Sequence, residues 1–554
     1  MRTLFYANIS LIMNNIFKKV SEFIFSIDEG YAIFFLALIF RLVFLWQWSG
    51  TPYFSSFNAD AWVHDRWAMD IAGGAIIRHT AFYQSPLYPY VLALFYKIFG
   101  HHYWPVYIAQ AIADSFSCIF ILKAARLMFN RRVSLISGLI AVFYAPFILN
   151  SGLLLKETLA VFCVSSFLLL FLKSIRSGSW LLSFGWGAAL GAASLSRPNI
   201  TVLFAFAALW LIMRKCPSVF SAGFKGIKEH ALIIKDFLKK KILPALLGLA
   251  LFLLPPALHN YMASDDFVLF NYAGGFVFYL GSNPYADGTT TYPPWINSDP
   301  EKEQQQVYDI AEAETGRKLK PSEVSAFWLK EGLKHVRENP RRFFWLTLGK
   351  LYLFWNKYEI PDNYDISFIR RHFPTVASLP LFGYGFTASL GVFGLFLTGL
   401  KRRGGILPAL FWPYMLSLLP FLITDRYRMP ALVFLIPAAA YAINRLYVKF
   451  LADAGKILPA IMFSLPFFAM IFLPSPSNMR FAEAAGYANL SCKYAKTGEY
   501  MKAVKCFEQS EALDPDAIGE SEAVCAAYSY NKLGNSAGFM KIMEKYKELV
   551  MPEE

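Results

Sequence analysis

Acidic and basic side chains that could transfer a chemical group are spread along the chain in separate segments. The first segment carries Asp60, and His64 follows it four residues later. Residues at this spacing lie on the same face of a helix, so the two side chains could act together. A carboxylate such as Asp60 can accept the proton of a hydroxyl group as that group attacks. Asp60 could also cap a helix that runs to Ala72, and the two roles are compatible.

Asp60 and His64 could also supply two ligands to a metal ion. The surrounding sequence offers no obvious third ligand, and the neighbouring acids Asp65 and Asp70 suit solvated or capping positions. We therefore expect a reaction that requires no cofactor, with a divalent metal ion as the alternative.

Charged residues at the ends of two later apolar runs are candidates for binding phosphate. Lys156 could bind a phosphate group, and Glu157 could orient the lysine or pair with it. The alternative is a simple ion pair at the membrane interface. Arg197 could reach a lipid phosphate, or it could extend its side chain to the interface without a specific partner.

Two arginines two residues apart, Arg426 and Arg428, lie between Asp425 and Pro430. At an outer membrane edge they would violate the tendency of basic residues to remain on the cytoplasmic side. Such a placement needs an anionic partner, and the planar guanidinium group suits phosphate oxygens. The alternative is pairing with Asp425 or with lipid headgroups.

The elements that must position these residues are membrane helices. Of the 554 residues, 56% are hydrophobic and only 17% are charged, a composition rare in soluble proteins. Several apolar runs approach the length that crosses a bilayer. We predict about eleven spans, at 31–48, 103–122, 133–150, 152–172, 180–196, 198–213, 242–260, 381–400, 405–423, 429–448 and 456–474.

The net charge of +14 comes largely from lysines and arginines in short loops between these runs. This pattern sets membrane orientation and favours contact with anionic lipid, and no nucleic-acid motif is present. Clusters such as Lys18-Lys19, Arg131-Arg132, the six lysines of 225–241 and Lys401 to Arg403 share one side if the N-terminus is cytoplasmic.

With that orientation, three segments lie outside the membrane: 49–102, 261–380 and 475–554. Two apolar stretches within them, 87–99 and 343–357, are expected to be helices that lie in the interface. The first is too short to cross the membrane and the second is interrupted by a lysine. The predicted architecture is therefore an N-terminal cytoplasmic segment 1–30, a membrane domain 31–474 and an outer C-terminal module.

Two charged residues fall near the middle of predicted spans. Arg41 and Asp114 are costly there unless they are paired, so we expect them to join the first two spans. The six cysteines include no pair separated by two residues, which indicates neither a zinc ribbon nor a disulfide framework.

The last 80 residues are polar and alanine-rich, and they are expected to form a small helical repeat module. Residues spaced as in a tetratricopeptide repeat are Tyr487, Leu490, Tyr494, Gly498, Tyr500, Ala503, Phe507 and Pro515. A weaker second unit follows. Two units are fewer than a free-standing solenoid needs, so the module should pack on the membrane domain or on a partner.

Several motifs, taken in order, resemble the GT-C superfamily of membrane glycosyltransferases. The closest likeness is to bacterial relatives of the dolichyl-phosphate-mannose protein mannosyltransferases and of the lipid A aminoarabinose transferases. The motifs are Asp60-Ala-Trp, Trp67-Ala68, Gly73-Gly74, the stretch Phe82 to Tyr90, Asn150 to Thr158, Gly274-Gly275, Tyr279 to Pro284, Phe354 to Asn356, Glu359 to Asn363 and Asp425 to Pro430.

The resemblance implies a GT-C-like all-α polytopic fold and a role for each matched residue. Asp60 would be the catalytic base, and Lys156, Arg197, Arg426 and Arg428 would bind the donor phosphate. Residues that would bind or orient substrate are His64, Tyr83, Gln84, Tyr88, Glu157, Asn283, Glu359, Asp425 and Tyr427. Asn283 could instead serve only its turn. Where the family often has a second acid after the base, this chain has Ala61, which weakens the case for a metal.

The implied reaction transfers a sugar from a polyprenyl-phosphate donor to a hydroxyl acceptor on protein, lipid or glycan. It would invert the anomeric carbon, at the outer face of a bacterial-type cytoplasmic membrane. Two other classes remain open: a transporter or flippase of lipid-linked sugars, and a scaffold that binds partners through the C-terminal repeats. A transporter would favour internal duplication and polar residues at the midplane, whereas only Arg41 and Asp114 lie there.

Overall fold

Apolar stretches of the sequence form helices throughout the computed structural model. The structure describes residues 28–57, 59–215, 235, 237–379, 382–399, 405–449, 454–474 and 479–547. Within these ranges helices are joined by turns and irregular loops, no strand forms, and the β-type pairing is an isolated bridge between Tyr144 and Phe382. The predicted all-α fold is therefore confirmed.

The described ranges contain twenty-four α-helices. They are α1 (Glu29–Trp48), α2 (Ala59–Ala72), α3 (Leu87–Phe99), α4 (Tyr103–Met128), α5 (Arg131–Val142), α6 (Ala145–Asn150), α7 (Glu157–Ser177), α8 (Trp180–Ser196), α9 (Val202–Lys215), α10 (Leu243–Ser264), α11 (Gly274–Leu280), α12 (Pro300–Thr315), α13 (Pro321–Glu338), α14 (Pro340–Trp355), α15 (Ile366–His372), α16 (Tyr384–Gly399), α17 (Ile406–Leu418), α18 (Asp425–Arg428), α19 (Leu432–Lys449), α20 (Ala454–Phe472), α21 (Met479–Lys496), α22 (Tyr500–Leu513), α23 (Glu520–Lys532) and α24 (Ser536–Lys545).

Among the described residues, five helices are long and apolar enough to cross a membrane. They cover Glu29–Trp48, Tyr103–Met128, Glu157–Ser177, Leu238–Ser264 and Asp425–Tyr447. Further apolar helices of 10–17 residues include α3, α16 and α17. The membrane protein prediction is confirmed, while the number of eleven crossings stays a prediction.

One predicted span, 133–150, is divided in two. α5 ends at Val142, Tyr144 adopts an extended backbone with ψ 107°, and α6 restarts at Ala145. Pro146 stands in the first turn of α6 and has no N–H to continue a helix from the preceding turn. The expectation of a single helix here was wrong because the proline restarts the hydrogen-bond ladder.

Small residues allow α8 and α10 to approach closely. A Cβ added at Gly187 would lie 1.8 Å from the carbonyl oxygen of Ala245, and one at Gly248 would lie 2.0 Å from that of Phe184. Close helix contact through small residues is a common way to pack helices in lipid.

The predicted pairing of the two charges within the spans is confirmed. Arg41 Nε donates to Asp114 Oδ2 at 2.7 Å, and both side chains are buried. Arg41 also donates to the carbonyl of Val142 at 2.7 Å. The pair thus fastens α1 to α4 and to the end of α5.

The helix α14 forms where an interfacial helix was expected, but Lys350 within it is fully buried. Its ammonium group donates to the carbonyl oxygen of Gly281 at 2.6 Å and also approaches that of Pro420. The lysine that interrupts the apolar run therefore fastens α14 to neighbouring loops.

The C-terminal module consists of two helical hairpins, α21–α22 and α23–α24, with left-handed glycines at Gly498 and Gly534 in their turns. The module packs on the membrane domain, as expected. Its assignment as a tetratricopeptide unit stays a prediction. Cys492 and Cys525 form a disulfide that links the hairpins, so the expectation of no disulfide was wrong. The two cysteines are 33 residues apart and become neighbours only when the hairpins pack.

Parts of the topology prediction lie outside the described residues. These are residues 1–27 of the N-terminal segment, most of the lysine-rich connection before residue 237, and Lys401 to Arg403.

Candidate active site

The helix α2 presents Asp60 in its first turn. The helix begins at Ala59, so Asp60 lies inside the helix and is not its cap. Ala59 itself has a φ of 47°, which places it in the left-handed region. Its backbone N–H donates to Asn363 Oδ1 at 2.9 Å. The carboxylate is thereby left to interact with other segments of the chain.

Three side chains donate hydrogen bonds to the Asp60 carboxylate. Arg426 Nη1 donates to Oδ2 at 2.7 Å, Asn363 Nδ2 donates to the same oxygen at 3.2 Å, and Gln84 Nε2 donates to Oδ1 at 3.2 Å. Burial by itself raises the pKa of Asp60, but the charges of Arg426 and then Lys156 outweigh it. They hold the pKa well below its usual range.

Arg426 bridges two carboxylates. Besides Asp60, its Nε and Nη2 donate to Asp362 Oδ2 at 2.7 Å. Asp362 and Asn363 were not among the predicted site residues, although both stand in the motif that begins at Glu359. They lie in the loop between α14 and α15, and an acid–amide pair within that motif was the available signal.

Arg428 takes a different position from the one predicted. Its guanidinium group donates to the carbonyl oxygens of Asn356 at 2.7 Å and Tyr358 at 2.9 Å, and it stacks 3.9 Å from the Tyr384 ring centre. Because Nη1 and Nη2 are bound to backbone, the structure favours a role for Arg428 in holding this loop. Its Nε has no partner, and phosphate binding by Arg428 stays a prediction. Arg428 shapes the loop that carries Glu359.

Glu359 and Asp425 line a cavity beside Arg426, together with Asn150 and Tyr364. Burial raises the pKa of the Glu359 carboxyl above its ordinary value. Asp425 Oδ1 accepts the N–H of Arg426 at 2.6 Å, which fixes the backbone of α18. Neither acid forms an ion pair with Arg426, whose guanidinium is bound by Asp60 and Asp362.

A second charged group lies at the N-terminus of α7. Glu157 is fully buried and pairs with Arg197, whose guanidinium carbon lies 4.1 Å from the Tyr427 ring centre. Glu157 thus pairs with Arg197 and not with Lys156, the partner suggested by the sequence. Lys156 Nζ has no hydrogen bond within the described residues. Burial, followed by the charge of Arg197, lowers the pKa of Lys156 to about 8.

The rings of His64 and Tyr88 pack together, with their centres 5.2 Å apart. His64 Nδ1 lies 3.2 Å from the carbonyl oxygen of Leu154, and burial lowers the pKa of His64 to about 4. The imidazole is therefore neutral at pH 7. The Tyr88 hydroxyl donates to Gln110 Oε1 at 2.7 Å, so its polar group is already engaged.

Tyr83 binds an acid that the sequence did not single out. Its hydroxyl donates to Glu303 Oε1 at 2.5 Å, and Tyr292 donates to the other oxygen of the same carboxyl. Burial nevertheless raises the pKa of Glu303 to about 7. Tyr83 directly precedes Gln84 in the chain, and the charge of Asp60 is among those that raise the pKa of Glu303.

Asn283 does not offer its amide to a ligand. The Nδ2 group donates to the carbonyls of Tyr279 and Leu280 within its own turn, and Oδ1 accepts the N–H of Tyr285. The side chain is fully buried. The prediction that it binds sugar is corrected to a turn-forming role.

Buried polar atoms without a hydrogen-bond partner gather around the two charged groups. They are His64 Nε2, Gln84 Oε1, Glu157 Oε2, Arg197 Nε and Tyr364 OH. Such atoms are rare in folded proteins and call for a ligand or water. Among the described residues, no group of three or more His, Cys, Asp or Glu is arranged to hold a metal ion.

Residues 83–225 match the family model of the dolichyl-phosphate-mannose-protein mannosyltransferases. The match covers about a quarter of the chain and includes Tyr83, Gln84, Lys156 and Arg197, but not Asp60. The resemblance to the GT-C superfamily predicted from sequence is confirmed over this segment. No curated protein compared with the chain matches it.

Solved structures with similar folds include two from the archaeon Archaeoglobus fulgidus. An oligosaccharyltransferase complex with zinc and sulfate is 13% identical with a TM-score of 0.38, covering 83% of this chain and 55% of its own. An AglB complex with an inhibitory peptide and a dolichol-phosphate is 12% identical with a TM-score of 0.37, covering 93% and 68%. ArnT from Cupriavidus metallidurans bound to undecaprenyl phosphate is 13% identical with a TM-score of 0.41, covering 95% and 80%. The chain therefore spans just over half the length of the first of these proteins.

Proposed function

We propose that the chain is an inverting glycosyltransferase that uses a polyprenyl-phosphate-linked sugar and a hydroxyl acceptor. The contact between Asp60 and Arg426, surrounded by buried polar atoms without partners, carries the proposal. It joins a carboxylate that can act as a base to a cation that can bind phosphate. The match to a mannosyltransferase family over residues 83–225 supports the same reaction class.

In the proposed reaction the acceptor oxygen attacks the anomeric carbon of the donor. A bond forms between that oxygen and the carbon as the bond from the carbon to the phosphate oxygen breaks. The acceptor proton passes to Asp60, and the polyprenyl phosphate leaves with the bonding electron pair. Attack opposite the leaving group inverts the anomeric centre.

The resting geometry explains how the donor would prepare the base. While Arg426 binds Asp60, the carboxylate is a weak base because its pKa lies well below the ordinary value. A donor phosphate would compete with Asp60 for the guanidinium group and so raise the pKa of the carboxylate. The base would then gain strength only when donor is bound.

Lys156 and Arg197 complete the proposed phosphate site. Lys156 is a partly buried cation with no hydrogen bond in the described residues, and Arg197 keeps a partnerless Nε. Cations in a site screened from water stabilise a departing phosphate strongly. Glu359 and Asp425, in the cavity next to Arg426, are the proposed contacts for sugar hydroxyls.

The proposed location is a bacterial-type cytoplasmic membrane with the active site and the C-terminal module on its outer side. The basic loops support a cytoplasmic N-terminus. The disulfide between Cys492 and Cys525 suits an oxidising compartment and so supports an outer position for the module.

The substitution Asp60→Asn tests the proposed base. We expect sugar transfer to fall by roughly a hundredfold or more, the usual contribution of general base catalysis. Undecaprenyl phosphate should bind the variant at least as tightly as wild type, because Arg426 is released from an ionised partner. Both quantities are measured on protein purified in mild detergent.

Asp70→Asn is the matched control because Asp70 is exposed on the same helix. It should leave transfer unchanged. Near-normal transfer by the Asp60 variant with its true donor would exclude the proposed base. If the purified wild-type protein binds undecaprenyl phosphate and moves lipid-linked sugar across vesicle membranes without transferring the sugar to an acceptor, the protein is a transporter.

A further inference from the structure

The C-terminal module inserts a lysine into the loop that leads to Asp60. Lys493, near the end of α21, is only 2% exposed. Its ammonium group donates to the carbonyl oxygen of Ser56 at 2.8 Å. It also lies 5.0 Å from the ring centre of Tyr53 and 5.3 Å from that of Tyr364.

These contacts lead to Asp60 from two directions. Ser56 precedes Asp60 by four residues, and Lys496 reaches the carbonyl of the next residue, Phe57, at 3.3 Å. Tyr364 follows Asn363, which binds both the backbone N–H and the carboxylate of Asp60. One lysine therefore contacts both segments that hold the carboxylate.

The buried ammonium group is costly without a carboxylate partner, and no acid pairs with it in the part of the chain that the structure describes. Burial lowers the pKa of Lys493 to about 7. An apolar side chain of the same length would fill the space without this cost. What only the ammonium group supplies is a hydrogen bond to the loop and attraction to two aromatic faces.

The junction between this loop and α2 needs such an external restraint because of its backbone conformation. Ala59, directly before Asp60, has a φ of 47°, a conformation that residues with a Cβ adopt rarely. Strained backbone persists only where surrounding structure holds it in place.

We propose that Lys493 is a positioning residue for Asp60, so that sugar transfer depends on docking of the C-terminal module. This inference rests on the proposed function, because it assigns a role to Asp60. Other contacts dock the module without touching the loop. Glu483 pairs with Arg371 and His372, and Gly486 lies against Phe368.

The test compares Lys493→Met, Lys493→Arg and Lys541→Met in the full-length chain. Methionine approximates the apolar part of the lysine side chain but cannot donate to Ser56, whereas arginine can. Lys541 pairs with Glu511 inside the module, and its substitution controls for loss of a lysine there.

Hydrogen exchange measured by mass spectrometry reports directly on the loop. We expect backbone amides of 53–57 in Lys493→Met to exchange about tenfold faster, the effect of losing one charged hydrogen bond. Exchange within α22 should be unchanged because the module remains docked. Lys493→Arg should restore protection, and Lys541→Met should resemble wild type throughout.

The rate of transfer separates positioning from folding. In Lys493→Met the turnover number should fall about tenfold while binding of undecaprenyl phosphate, the probe of the donor site, stays within about twofold.

Wild-type hydrogen exchange together with a wild-type turnover number in this variant would overturn the inference. If Asp60→Asn is inactive while Lys493→Met is normal, only the inference fails. If Asp60→Asn retains full transfer, the proposed function fails, and the exchange data still decide whether Lys493 holds the loop.

Discussion

Arg426 and Arg428 are two residues apart and of the same type, yet their guanidinium groups bind different kinds of partner. Arg426 joins the carboxylates of Asp60 and Asp362, whereas Arg428 is bound to backbone carbonyls. On a short helix these two side chains point in different directions, so their shared sequence motif does not imply a shared role.

The two arginines should therefore respond differently to substitution by glutamine. Arg426→Gln should weaken binding of undecaprenyl phosphate by about tenfold or more, because a charge-assisted contact to phosphate is lost. Arg428→Gln should leave that affinity within about twofold but lower the thermal midpoint, since two buried carbonyls lose their donor. Equal loss of affinity in both variants would contradict this division of roles. Lipid titration and thermal unfolding in detergent provide the two measurements.

Glu303 should make stability depend on pH. Because burial raises its pKa from 4.5 to about 7, the folded state holds a proton that the unfolded state releases within this range. Stability attributable to this group is therefore fully present below pH 4.5 and is lost as pH rises through 7. The shift corresponds to about 3 kcal/mol.

Glu303→Gln removes this dependence. Between pH 4.5 and 7.5 the thermal midpoint of wild type should fall relative to that of the variant. Glu314→Gln, an exposed change on the same helix, serves as the control and should follow wild type. Parallel pH profiles for wild type and Glu303→Gln would show that the group titrates normally.

At the scale of elements, one of the close helix contacts in the described residues is between α8 and α10. Gly187→Ala would place a methyl group 1.8 Å from a carbonyl oxygen of the neighbouring backbone, so the helices must separate. We expect a loss of roughly 1–3 kcal/mol, the usual cost of overpacking. Gly185→Ala on the same helix meets only a leucine methyl at 3.4 Å and should be tolerated. Thermal unfolding of the two variants in detergent distinguishes these outcomes, and equal midpoints would contradict the tight packing.

The positions of helices were predicted better from the sequence than the contacts between residues of different helices. Apolar runs such as those of α1 and α8 located helices to within a few residues, because length and hydropathy are local properties. The break between α5 and α6 was missed although Pro146 marked it. The pairing of Arg41 with Asp114 was predictable, since two isolated charges in apolar surroundings have few alternatives.

At the scale of the whole molecule, the site was predictable only in part. Asp60, Gln84 and Arg426 were selected from sequence, and the structure brings them together. Asp362 and Asn363 were missed because their contacts to Arg426 and Asp60 join segments far apart in the chain. Asn283 and Arg428 were selected from motifs that resemble the family, and a motif does not reveal whether a polar group is already bound by backbone.

The contact between Lys493 and Ser56 joins residues 437 positions apart. A ribosome that adds about 5–20 residues each second needs on the order of 20–90 s to synthesise that interval. During this time the loop before Asp60 already exists, but the helix that holds it has not been made. If Lys493 positions Asp60 as proposed, the site is complete only after α21 has emerged and folded. A chain interrupted before α21 is then expected to transfer sugar more slowly than the full-length protein.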